Sequence, residues 1–129
     1  MEKHLVEKRV LIVEDDGMLN SMFAEAFAHA GHWTYSVYTV GQALERLVHA
    51  KLPDLIVLDL NLPDMDGADL LELLQAPQFD NVKIILTSYM AAQRAEELKK
   101  YRIDKVFIKP VMPLELVASI NELFPVENP

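Results

Sequence analysis

The sequence predicts an α/β fold: a doubly wound sheet of parallel strands with helices on both faces. Three observations carry that prediction. Short apolar runs alternate with amphipathic segments along the chain, and strict strand–helix alternation builds a parallel sheet because each helix crosses back over it. The first run, RVLIV, is β-branched and non-alternating, as suits a strand covered on both faces. The length of 129 residues and the 51% hydrophobic composition fit one domain with one core.

Each element has its own signal. Arg9–Val13 is the first strand. Met18 to Ala30 reads as a helix with Met18, Met22, Phe23, Ala26 and Phe27 on one stripe. Gly31 stops it, since glycine accepts a left-handed cap. Trp33–Val37 is the second strand. Thr39 caps a helix from Val40 to about Ala50, with Ala43, Leu44, Leu47 and Val48 inward. Asp54 to Leu58 is the third strand, and Asp66 caps a helix over Ala68 to Gln75. Val82 to Leu86 is the fourth strand, Ala91 to Tyr101 a helix with a polar outer face, and Lys105–Ile108 the fifth strand. Pro113 opens the last helix, which runs to about Phe124 on the stripe Leu116, Val117, Ile120 and Leu123. Trp33 and the methionines read as packing residues. The tail PVENP is expected to fray. The reading is a single domain, 1–129, with its core at about 9–124 and no output domain in this chain.

Composition narrows the function classes. Twelve basic against twenty acidic residues give a net charge of −8, which argues against direct nucleic-acid binding, because phosphate contacts need cationic charge. The chain has no cysteine, so disulfides and thiolate metal sites are excluded. No apolar run approaches the roughly 18 residues of a membrane span, and the start MEKHLVEKRV lacks a signal-peptide core. No membrane association is expected, and the cytoplasm is the simplest location.

In a parallel α/β sheet, ligands sit at the carboxyl ends of the strands. Glu14, Asp15 and Asp16 follow the first strand and Asp59 the third; Thr87 and Ser88 follow the fourth, and Lys109-Pro110 the fifth. Clustered carboxylates repel and raise each other's pKa unless a cation intervenes. Lys109 supplies one positive charge, which is too few. Carboxylates and carbonyls without a histidine at any strand end suit Mg²⁺. The residues therefore predict Mg²⁺ held by Asp15 and Asp59, with Glu14 or Asp16 helping through water and the Asn61 carbonyl as a further ligand. A carboxylate beside Mg²⁺, a lysine and a hydroxyl can attack phosphorus and form an acyl phosphate. Pro63 would stiffen the loop behind Asp59, and Gly67 would permit its tight turn.

Alone, Asp59 would read as a turn former; with Asp15 and Lys109 at other strand ends, the functional reading is preferred. Asp16 is better read as part of a solvated turn that opens a helix, where acids suit the dipole. Asp64 and Asp66 read as loop and capping residues. His4, His29, His32 and His49 are scattered, and none reads as catalytic.

Four segments, LIVEDD (Leu11–Asp16), DLNLPDMDG (Asp59–Gly67), LTS (Leu86–Ser88) and FIKP (Phe107–Pro110), stand in order at strand ends. Together they resemble the receiver domain of two-component response regulators, over nearly the whole chain. The resemblance implies a flavodoxin-like sheet of five strands in the order 2-1-3-4-5. It implies Asp59 as phospho-acceptor, Glu14 and Asp15 as the acidic pair with Asp15 a direct Mg²⁺ ligand, and Asn61 contributing its carbonyl. Thr87 matches the switch hydroxyl and Lys109 the lysine that contacts the phosphoryl group. The Lys109-Pro110 bond matches the family's cis peptide.

Two departures stand out. The family usually places Tyr or Phe three residues before the lysine; here that residue is Val106, and Phe107 points to the other face because strand side chains alternate. Arg102-Ile103 replaces a frequent Gly-Ala, implying a different turn before the fifth strand.

The resemblance implies a phosphoacceptor that takes a phosphoryl group from a histidine kinase or phosphotransfer protein. It would then switch a surface read by a downstream target protein or an output domain, with a homodimer left open. Enzymatic activity would extend no further than its own phosphorylation and dephosphorylation. The partner face is expected on the outward side of the last helix with Tyr101, Arg102 and the segment Arg94 to Lys100. Val106 motivates an alternative, a phosphorylation-independent interaction or dimerisation module. A Mg²⁺-dependent phosphohydrolase is a third reading, but such enzymes often carry a second aspartate two residues after the first, where this chain has Asn61.

Overall fold

The computed structural model describes residues 7–125. Five strands, β1 (Arg9–Val13), β2 (Trp33–Val37), β3 (Leu55–Asp59), β4 (Lys83–Ser88) and β5 (Lys105–Ile108), form one parallel sheet in the order β2-β1-β3-β4-β5. The helices are α1 (Gly17–His29), α2 (Val40–His49), α3 (Gly67–Leu73), α4 (Ala95–Leu98) and α5 (Pro113–Leu123), with a 3-10 turn at Pro77–Phe79. Alternate strand residues feed two cores. Leu11, Val13, Ile56, Leu58, Ile84 and Leu86 pack against α2, α3 and α4. Val10, Ile12, Leu55, Val57 and Ile85 pack against α1 and α5. Every residue of β3 is buried, as its non-alternating sequence requires.

The caps predicted at Thr39 and Asp66 form, and Asp16 caps α1 as well. The Asp16 carboxylate accepts from the Leu19 N–H at 3.1 Å, the Thr39 hydroxyl from the Gln42 N–H at 3.0 Å, and the Asp66 carboxylate from the Ala68 N–H at 3.0 Å. Gly31, with φ of 97°, ends α1. The tail from residue 126 and His4 lie outside the described residues.

Other expectations are corrected. The buried stripe of α1 is Asn20, Phe23 and Phe27, while Met18 is 77% and Met22 46% exposed. Met22 sits about 100° round the helix from Phe23, so two neighbouring stripes were merged. Val48 is exposed for the same reason, at the margin of the Val40, Ala43, Leu47 face. Trp33 is exposed because β2 is an edge strand, and Met65, Met90 and Met112 are exposed too. Helix α4 is one short turn-length segment rather than Ala91 to Tyr101; residues 89–94 form turns instead. Strands β3 and β4 extend further than predicted, so Asp59, Thr87 and Ser88 are the last strand residues rather than the first loop residues.

Arg102 is not part of an outer face. Its guanidinium turns inward and donates to the carbonyls of Val82 at 3.0 Å and Phe79 at 3.1 Å. Its own N–H donates to Gln75 Oε1 at 2.7 Å. The side chain braces the turn that Gly-Ala would have left open. Tyr101 likewise packs against the α2–α4 core.

Candidate phosphoryl and metal site

The sheet brings the predicted residues together at the carboxyl ends of β1, β3, β4 and β5. Parallel pairing sets Asp59 level with Thr87, and Thr87 level with Phe107. Paired residues share a face, so the Asp59 and Thr87 side chains lie on the α1–α5 side, with Lys109 two residues beyond Phe107. Glu14, Asp59, Thr87 and Lys109 are all buried, while Asp15 and Asn61 are exposed at the rim.

The Lys109 ammonium donates to Glu14 Oε1 at 2.5 Å and lies 3.3 Å from Asp59 Oδ2. The other oxygen of each acid is held by main chain. Asp16 N–H donates to Glu14 Oε2 at 3.1 Å, and Asn61 N–H to Asp59 Oδ1 at 3.2 Å. The ring of Tyr89 approaches Lys109 Nζ, 5.5 Å from centroid to nitrogen. The Lys109-Pro110 peptide is cis.

The electrostatic expectation needs one correction. Burial, more than mutual repulsion, raises the carboxyl pKa values. It pushes Glu14 from 4.5 up to about 7 against the pull of its Lys109 hydrogen bond, with the Asp59 charge adding to the rise. Burial also raises Asp59, opposed by Lys109. Burial would lower the Lys109 ammonium, but its bonds to Glu14 and Asp59 hold it above its ordinary value. One ammonium thus faces two buried carboxyl groups, Glu14 and Asp59.

Oxygen atoms from Glu14, Asp15 and Asp59 all lie within 4.8 Å of one another. That set of hard oxygen donors, incompletely compensated by Lys109, fits a divalent cation of the Mg²⁺ type.

The loop behind Asp59 is shaped by close approach. A Cβ on Gly67 would stand 2.4 Å from the Asp59 carbonyl oxygen and 2.8 Å from Leu60 Cα. Gly67 is required because main chains touch there, not because of a turn with positive φ, which among the described glycines only Gly31 has. Asp64 accepts from the N–H groups of Val40 and Gly41, both at 2.9 Å. Asp66 accepts two bonds from Arg94, at 3.1 and 2.8 Å. These acids pin the loop to the start of α2 and to the turn before α4.

Sequence reasoning missed Asn20 and Tyr89, and placed Arg94 on a partner face rather than against Asp66. Asn20 carried a signal: a polar residue on the inward stripe of an otherwise apolar helix. Val106 and Ile108 point to the other side of the sheet and are 46% and 58% exposed, while Phe107 joins the α1–α5 core, as alternation required.

A family model for the response regulator receiver domain matches residues 10–121. The chain belongs to this family. The receiver domain is similar to the sporulation initiation phosphotransferase F of Bacillus subtilis, with 27% identity over 96% of this chain and 99% of that protein. It is 32% identical to chemotaxis protein CheY of Thermotoga maritima, over 90% of this chain and 97% of that protein. Among solved structures, a CheY-like receiver domain from Methanospirillum hungatei superposes with a TM-score of 0.82 and 27% identity, covering 92% of this chain and 94% of the other. The sheet order observed here is the one the resemblance implied.

Proposed function

We propose that this receiver domain is a phosphoacceptor whose acceptor atom is a carboxylate oxygen of Asp59. One observation carries the reading: a buried Asp59 carboxylate lies 3.3 Å from a buried ammonium, beside Thr87 and a cluster of acids suited to a cation. In an in-line displacement, an Asp59 oxygen forms a bond to phosphorus as the donor's bond to phosphorus breaks, and the donor leaves with the electron pair. Lys109 would lie against the equatorial oxygens, and Thr87 would donate its hydroxyl to one of them. Glu14, Asp15 and Asp59, with the Asn61 carbonyl, would hold Mg²⁺. When bound, Mg²⁺ supplies the positive charge that lets anionic donor and anionic acceptor approach.

The donor would be a histidine kinase or phosphotransfer protein, in the cytoplasm. A downstream protein or output domain would read the switched surface. The relatives named for phosphotransfer and chemotaxis support this. The chain is read as one receiver domain. Among the described residues, no helix is long and apolar enough to cross a membrane. The phosphorylation-independent alternative finds no support in the pocket, whose residues are assembled rather than dispersed.

Incubation with an acyl phosphate and Mg²⁺, followed by mass spectrometry, tests the reading. The expected outcome is a gain of one phosphoryl group that Asp59→Ala abolishes. Equal gain in the variant, or none in the unsubstituted chain, overturns it.

A further inference from the structure

Asn20 is fully buried on the stripe that α1 presents with Phe23 and Phe27. An amide there costs free energy unless its polar atoms are paired. Its Nδ2 donates twice, at 3.0 Å to the Glu14 carbonyl and at 3.0 Å to the Val37 carbonyl. These carbonyls stand at the ends of β1 and β2, where the ladder stops; the Glu14 N–H also donates to Val37, at 3.1 Å. One side chain thus clasps two strand ends from the first turn of α1. Its Oδ1 is buried and, among the described residues, has no hydrogen-bond partner. An orphaned buried acceptor is costly, and a leucine would fill the stripe without it. Packing therefore gives no reason for an amide; the two carbonyls do.

Asp15 gives the clasp its consequence. Asp15 follows Glu14 directly, so the main chain that Asn20 holds places its Cβ; among the described residues, no hydrogen bond reaches its exposed carboxylate. We propose that Asn20 is a positioning residue of the pocket: it fixes the main chain at Glu14, and with it the point from which the Glu14 and Asp15 side chains reach toward a shared cation. This rests on the reading of the pocket as a Mg²⁺ and phosphoryl site. It adds a residue that touches neither cation nor phosphoryl group.

Calorimetric Mg²⁺ titration of the unsubstituted chain, Asn20→Leu and Ile120→Val tests it. In Asn20→Leu the Mg²⁺ Kd is expected to rise about tenfold, the range in which lost outer-shell support weakens metal sites. The phosphorylation rate at saturating Mg²⁺ should stay within about threefold, since only binding is impaired. Amide exchange at Asp15 and Asp16 should quicken. Ile120→Val trims the core beside α1, and should lower the thermal midpoint without moving the Kd. An Asn20→Leu chain that binds Mg²⁺ as tightly as the unsubstituted one, or loses no more than Ile120→Val, overturns the inference. If Asn20→Leu does not fold, Asn20→Ser, too short to reach both carbonyls, is titrated against the same criteria. An unsubstituted chain that binds no Mg²⁺ overturns the functional reading and this inference with it. Binding by the unsubstituted chain, beside an indifferent variant, overturns this inference alone.

Discussion

Glu14 shows how one buried carboxyl couples the pocket to the stability of the domain. Its pKa is pushed from 4.5 up to about 7, chiefly by burial. An acid whose folded pKa lies above its unfolded one favours folding while protonated. That contribution is whole below about 4.5 and lost as pH rises to about 7. In chelator, the unsubstituted chain should therefore lose stability relative to Glu14→Gln across that window, by roughly 2–3 kcal/mol. Urea unfolding at stepped pH reads the difference; a flat difference would count against it. Gly67 makes a second prediction at this scale. The Cβ of Gly67→Ala would meet Asp59 and Leu60 main-chain atoms, which cannot swing aside as a flexible side chain could. Overpacking of this kind costs typically about 1–3 kcal/mol, measurable as a lower urea midpoint. The substitution should also weaken Mg²⁺ binding, because the displaced atoms belong to the Asp59 main chain.

Among the elements, α4 is the least self-sufficient. It spans only Ala95–Leu98, and its N-cap residue Arg94 makes no capping bond. Arg94 instead bridges Asp66, at 2.8 Å, and Glu97. Asp66 also faces Asn61 in an isolated antiparallel bridge. The β3–α3 loop and α4 are thereby joined at an exposed ion pair. Such pairs contribute little, typically under about 1 kcal/mol, so Arg94→Ala should barely move the unfolding midpoint. It should speed amide exchange at residues 95–98 well beyond any change in α5. Unchanged exchange there would show that α4 is held by Leu98 packing alone. The mistaken length of this helix follows from propensity: a run of helix-forming residues from Ala91 to Tyr101 suggested one helix, but residues 89–94 form turns.

For the whole molecule, a cation that binds only the folded chain must stabilise it. At one hundred times its Kd, Mg²⁺ should add about 2.7 kcal/mol, seen as a raised thermal midpoint at constant ionic strength and lost in Asp15→Ala. The strand ends and their acids could be read from the chain because buried parallel strands leave a period-free apolar run that stops abruptly. Asp59, Thr87 and Lys109 each followed such a stop. Sheet order could not be read that way, since periodicity is silent on neighbours; it came from the family likeness. The exposed Met18, Val48 and Trp33 were misjudged because hydrophobicity marks what could be buried, not which sheet edge lacks a cover. Asn20 was missed although an amide on an apolar stripe marked it, and Arg102 was placed on an outer face because its partners, main-chain carbonyls, leave no trace in residue identity.

Strand β5 divides two tasks by parity: Phe107 and Lys109 look inward to one layer, Val106 and Ile108 outward from the other. Deleting one residue from this strand would turn it inside out. The ammonium would be delivered to solvent and an aliphatic chain to the acids, leaving a folded sheet with no counter-charge at its centre. The spacing between the turn at Arg102 and the lysine is therefore as much a part of the chemistry as the lysine itself.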